Sequence, residues 1–169
     1  EEEREQTVML MVDASRSGSF GSFHQMKGEV GVEISALLAF AAVNNNDRVG
    51  LIIFTDVVEV FIPPEKGRKH VLRVIRELLY FEPKGARTDL AGALDHLIKV
   101  LRRKSVVFLI SDFIDKEFSR VIQQVRRRHD LVAVSLWDPR ERVLPDVGFI
   151  NLEDAETGEQ IVVDTRVSQ

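Results

Sequence analysis

The sequence predicts a doubly wound α/β fold built on one mostly parallel sheet. Three observations predict it. Short apolar runs recur along the chain and lack polar alternation, which suits strands covered on both faces. Stretches of helical period separate most of these runs, and alternating strands and helices favour parallel pairing through crossovers. One pair of runs is joined by only Thr55-Asp56, a link too short for anything but an antiparallel hairpin.

In order, residues 1–6 form a charged lead-in and residues 7–12, Thr-Val-Met-Leu-Met-Val, the first predicted strand. A loop rich in Ser and Gly follows at 15–22, where Gly18 and Gly21 permit tight turns. Residues 31–43 carry Val32, Ile34, Leu37, Leu38 and Phe40 and predict a largely buried helix, stopped by Asn44-Asn45-Asn46-Asp47. Residues 49–54 and 57–62 are the two strands of the hairpin. Pro63-Pro64 is expected to end the second and to place it at the sheet edge, where lost N–H donors are tolerated.

Apolar positions at 71, 72, 74, 75, 78 and 79 predict a helix over 68–81. After a loop at 82–87, a helix is expected from Thr88-Asp89 onward, closing on Arg102-Arg103-Lys104 where its C-terminus favours cations. A buried strand at 105–110 delivers Ser111-Asp112, and an amphipathic helix over 117–128 ends in Arg126-Arg127-Arg128. The strand at 131–136 leads into Trp137-Asp138-Pro139. Residues 149–152 and 160–163 flank the turn signal Thr157-Gly158 and predict a C-terminal β-hairpin.

At 169 residues the chain reads as one domain, and 44% hydrophobic with 30% charged residues is ordinary for soluble proteins. A net charge of −4 argues against nucleic acid as partner, since phosphate binding calls for a basic face. No cysteine is present, which excludes thiolate sites and disulfides and suits a cytoplasmic setting. No apolar run approaches the roughly 20 residues that span a bilayer, so no membrane segment is expected within residues 1–169. Because Glu1-Glu2-Glu3-Arg4-Glu5 leads almost at once into a strand, the chain is read as a fragment of a longer protein, and membrane attachment through other parts stays open.

Ligands of such sheets gather outside the carboxyl ends of the strands. Asp13 and Asp112 end two predicted parallel strands there, and two carboxylates brought close repel unless a cation or proton relieves them. Thr88, opening a helix that must run back down the sheet, lies at the same edge. Asp13, Ser15, Ser17, Thr88 and Asp112 therefore converge as hard oxygen donors, a set that favours Mg2+, Mn2+ or Ca2+ over Zn2+. Taken singly each has a plainer reading: Asp and Ser satisfy turns, and Thr88 is a candidate helix N-cap. Three such loops in the right order favour the cation site. The four histidines lack ligand spacing and are expected to be solvated or half-buried.

Asp13-x-Ser15-x-Ser17, Gly85-x-x-Thr88 and Leu109-Ile110-Ser111-Asp112 resemble the metal-ion-dependent adhesion site of von Willebrand factor A domains. More narrowly, Asp47-Arg48-Val49-Gly50-Leu51, Phe61-Ile62-Pro63-Pro64 and Glu156-Thr157-Gly158-Glu159 resemble bacterial proteins with such a domain that accompany MoxR-type AAA ATPases. The resemblance implies a Rossmann-like sheet with one antiparallel edge strand and Mg2+ or Mn2+ at its top. It implies Ser15, Ser17 and Thr88 as direct ligands, with Asp13 and Asp112 acting through water or hydrogen bonds. The implied function is docking of a partner's Glu or Asp on the ion, the partner being a MoxR-type AAA ATPase or its client, in assembly or maturation of complexes. Arg16, Gly18 and Phe113 depart from the common pattern without removing a ligand. Arg16, Phe113, Trp137 and Asp138 are candidate partner contacts, Trp137 being equally suited to packing.

The rival reading is an enzyme, a Mg2+-dependent phosphatase with Asp13 as nucleophile. Ser15 stands against it, because haloacid-dehalogenase-like phosphatases carry an acid/base aspartate there. No general base or nucleophile pair is evident, so a non-enzymatic module is expected. A third reading is a structural domain that binds no metal.

Overall fold

The computed structural model describes residues 5–15, 22–85, 87–113, 119–137, 149–154 and 160–164. Its elements are β1 (Thr7–Asp13), α1 (Ser22–Asn44), β2 (Arg48–Phe54), β3 (Val58–Glu65), α2 (Arg68–Tyr80) and α3 (Leu90–Val100). They are followed by β4 (Val106–Ser111), α4 (Ser119–Arg128), β5 (Asp130–Trp137), β6 (Phe149–Asp154) and β7 (Gln160–Asp164). The strands form one sheet in the order β3-β2-β1-β4-β5-β6-β7.

β1 pairs in parallel with β2 and β4, and β4 with β5, while β3 runs antiparallel to β2 as the short link requires. The expected C-terminal hairpin forms and also joins the sheet, β6 pairing antiparallel with β5 and β7 with β6. Both edges of the sheet are therefore antiparallel, and only its centre is parallel.

The unbroken apolar runs follow from helices on both faces. Along β1, Leu10 points into a core with Leu51, Ile53, Val71 and Val74, under α1 and α2. Its neighbours Met9 and Met11 point the other way, into a core with Phe54, Leu94, Leu97, Leu109 and Val125, under α3 and α4. Among the described residues no helix is long and apolar enough to cross a membrane.

Three expectations need correction. α1 begins at Ser22 rather than at 31, although it ends where the asparagines were expected to stop it: Asn45 N–H donates to Ala41 O and Asp47 N–H to Ala42 O, with Asn46 at φ 59°. β3 does not stop at Pro63-Pro64 but continues through them to Glu65. An edge strand accepts proline where no ladder donor is needed, and the pairing shifts register between Val49 and Leu51. Gly50 lies at that shift, and a Cβ there would fall 2.8 Å from Ile62 O and 2.9 Å from Pro64 N.

The third concerns the histidines, of which His70 and His129 are buried. Each offers a ring nitrogen to the backbone, which makes burial tolerable: His70 Nε2 donates to Val49 O at 2.7 Å, and His129 Nδ1 accepts from Ser105 N–H at 3.1 Å. Burial, with the Arg128 cation beside it, holds the His129 ring below its usual pKa.

Candidate functional site

β1 and β4 are neighbours in register, Val12 opposite Ile110, so the next residues, Asp13 and Ser111, end the two strands side by side. Ser111 Oγ donates to Asp13 Oδ2 at 2.7 Å. The other carboxylate oxygen, Oδ1, accepts Ser15 N–H at 2.9 Å, an Asx-type turn that folds the chain back as it leaves the strand. Both oxygens of Asp13 are thus engaged before any ligand arrives. Burial pushes the Asp13 carboxyl above the ordinary aspartate range; the donors of Ser15 and Ser111 oppose the rise, and the charge of Asp112 adds to it.

Asp112 follows β4 directly, and Phe113 N–H donates back to Ser111 Oγ at 3.0 Å. This tight turn puts Phe113 at φ 55°, the left-handed region that glycine favours. A glycine would adopt this backbone without strain, so Phe113, which departs from the common pattern, does so at a strained position. The Phe113 side chain is partly buried and packs on the core under α3 and α4, which leaves only part of it for contact with a partner.

Thr88 arrives from the third loop, and its hydroxyl donates to Ser15 Oγ, 73 positions away in sequence. It is not the helix cap. Asp89 caps α3, its Oδ1 accepting Gly92 N–H at 2.9 Å, which leaves the Thr88 hydroxyl to face Ser15.

Of the expected site residues, Asp13, Ser15 and Thr88 meet directly, and Asp112 adjoins them through its charge and its place after Ser111. Ser17, Arg16 and Asp138 lie outside the described residues. Trp137 ends β5 two residues past Ser135, the partner of Ser111, and so lies at the same edge of the sheet. Ser111, within the motif Leu109-Ile110-Ser111-Asp112, is a donor to Asp13 that the residue types alone do not announce. The available signal was its place before a strand-end aspartate on a strand next to β1.

The donors brought together are carboxylate and hydroxyl oxygens. Among the described residues no group of three or more His, Cys, Asp or Glu that could hold a metal occurs, at this site or at any other. Two hydroxyls in contact beside a half-buried carboxylate fit a small hard cation better than a soft one.

The model of the family described as Protein of unknown function DUF58 matches residues 1–169. The chain belongs to the DUF58 family. This DUF58 chain is 33% identical over 159 residues to uncharacterized proteins of Mycobacterium tuberculosis and Mycobacterium bovis. The match covers 92% of the chain and 50% of each relative, so the chain spans half the length of these mycobacterial proteins.

Among solved structures it is similar to the conserved hypothetical protein BatB from Bacteroides thetaiotaomicron, with a TM-score of 0.62 and 13% identity over 96% of this chain and 81% of that one. It is also similar to an aerotolerance-related membrane protein from Bacteroides fragilis, with a TM-score of 0.58 and 18% identity over 95% and 82% of the two chains. The fold is of the von Willebrand factor A type.

Proposed function

We propose that this DUF58 chain is a protein-interaction module that docks an acidic side chain of its partner through a divalent ion, Mg2+ or Mn2+, with Ca2+ also compatible with the donors. What carries the reading is the meeting of the Ser15 and Thr88 hydroxyls beside Asp13, residues delivered by two loops far apart in sequence. Ser15, Ser17 and Thr88 would hold the ion directly, and Asp13 and Asp112 would supply charge through water. Bound there, the ion supplies Lewis acidity and an exchangeable position that an outside carboxylate fills.

The role of Asp13 in this reading is that of a fixed anchor. Ser15 N–H and Ser111 Oγ–H occupy its two oxygens, so it orients the loop that presents Ser15 and offsets the ion's charge. Against Asp13 as a phosphoryl-accepting nucleophile stands Ser15, at the position where haloacid-dehalogenase-like phosphatases carry an acid/base aspartate. This supports a non-enzymatic module. The partner is a MoxR-type AAA ATPase or its client, on the family resemblance, and the setting is the cytoplasm, where such complexes are assembled or matured.

The test of the site is calorimetric titration with Mn2+. One-site binding that Ser15→Ala weakens at least tenfold is expected, a loss typical of groups that hold or orient metal ligands, about 10–100-fold. Equal Mn2+ affinity in wild type and Ser15→Ala, or none in either, would contradict the metal site.

A further inference from the structure

The loop that carries Thr88 is strapped at both ends to the β2–β3 hairpin. At its start, Lys84 N–H donates to Glu59 Oε1 at 2.7 Å and Gly85 N–H to Glu59 Oε2 at 3.4 Å. At its end, Asp89 N–H donates to Thr55 O at 2.9 Å. The two anchors are tied to each other, because the Thr55 hydroxyl donates to Glu59 Oε2 at 2.8 Å. Thr55 is fully buried and its own N–H donates to Val57 O, so this side of the strap is part of the rigid hairpin.

Gly85 shows how closely the loop is drawn in. A Cβ there would collide with Asp56 Oδ1 and Thr55 Oγ1, so the glycine two residues before Arg87 is required by the approach to the hairpin.

We propose that Glu59 is a positioning residue for the metal site: by holding the Lys84 and Gly85 amides, it fixes the loop so that the Thr88 hydroxyl is delivered to Ser15. The proposal rests on the metal-docking reading above. Glu59 never touches the ion; it acts through Thr88, as groups behind metal ligands commonly do. Its carboxyl suits the task. Burial alone would raise its pKa, but the Lys84 and Gly85 amides and the Thr55 hydroxyl outweigh that and hold it below the usual glutamate range, as the ionised acceptor.

The experiment is a double-mutant cycle read by Mn2+ enhancement of water-proton relaxation, which follows weak as well as tight binding. Glu59→Ala is expected to weaken Mn2+ affinity about tenfold. Placed on Thr88→Ala, the same substitution is expected to cost nothing more, because the group it positions is gone. Glu59→Gln keeps the shape but turns an amide donor toward donors, so it is expected to weaken Mn2+ in the same direction and serves if the alanine variant does not fold. Wild-type Mn2+ binding with unchanged affinity in both Glu59 variants overturns the positioning role alone, as does an equal loss with and without Thr88. Absence of Mn2+ binding by the wild type overturns the metal site and the positioning role together.

Discussion

Ser111 Oγ donates to Asp13 Oδ2 at 2.7 Å, joining the ends of two adjacent parallel strands by a hydrogen bond between residues 98 positions apart. The same oxygen accepts Phe113 N–H, so one hydroxyl links the β1 loop to the turn that carries Asp112. Two of the three loops at the top of the sheet are thereby fixed before a ligand is involved.

Ser111→Ala removes a donor to a half-buried carboxylate and an acceptor for Phe113 N–H together. Hydrogen bonds to charged groups contribute roughly 1.5–3 kcal/mol, so a loss of about 2 kcal/mol in urea unfolding at neutral pH is expected. An unchanged urea midpoint would show that the Asp13–Ser111 contact contributes nothing.

Phe113 sits at φ 55°, where a Cβ is strained, yet its ring packs on the core under α3 and α4. Comparing Phe113→Ala with Phe113→Gly separates the two effects, since both remove the ring and only glycine relieves the backbone. The glycine variant is expected to be more stable than the alanine variant by about 1 kcal/mol. Melting temperatures in the opposite order would mean that this turn is not left-handed in solution.

Gly50 lies against Ile62 O and Pro64 N, both backbone atoms of the neighbouring strand. Gly50→Ala therefore has to part β2 from β3 or tilt them, at a cost of about 2 kcal/mol, within the range of overpacking. Thermal unfolding of the variant measures it. A neutral effect would count against the register shift at Val49 and Leu51.

His129 is buried and its pKa lies below the usual 6.5, with burial the leading cause and Arg128 the second. The unfolded chain then binds a proton that the folded chain refuses. Stability is present above pH 6.5 and is lost as pH falls through the lowered value, so the melting temperature should drop on going from neutral pH toward pH 5. His129→Asn keeps an acceptor near Ser105 N–H and is expected to flatten this part of the profile. A profile identical to wild type would assign the effect to another group.

Much of this architecture was legible in the sequence because apolar runs covered on both faces leave an unbroken signature. Met9, Leu10 and Met11 are all buried, so β1 read as a central strand, and Asp13 and Asp112 then fell at the same edge. The first turns of α1 were not legible, since residues 22–30 carry Gly28 and several polar residues in place of a continuous apolar stripe. Pro63-Pro64 announced the edge position of β3, but its course through both prolines depends on Gly50 across from it, which only pairing reveals.

At the site, residue types announced the carboxylates and hydroxyls, but register alone made Ser111 a donor to Asp13. The assignment of the α3 cap to Asp89 rather than Thr88 turned on a difference of one residue, within the usual uncertainty of helix ends. Glu59 was invisible because its partners Lys84 and Gly85 lie in another loop and use only their backbone amides.

The most direct test of the docking claim is the affinity of the chain for a MoxR-type AAA ATPase, compared in Mg2+, in chelator, and in Mg2+ with Ser15→Ala. The account predicts binding in Mg2+ that falls at least tenfold under either of the other two conditions, more than about 1.4 kcal/mol of binding free energy. Equal affinity under all three conditions would contradict a metal-mediated dock.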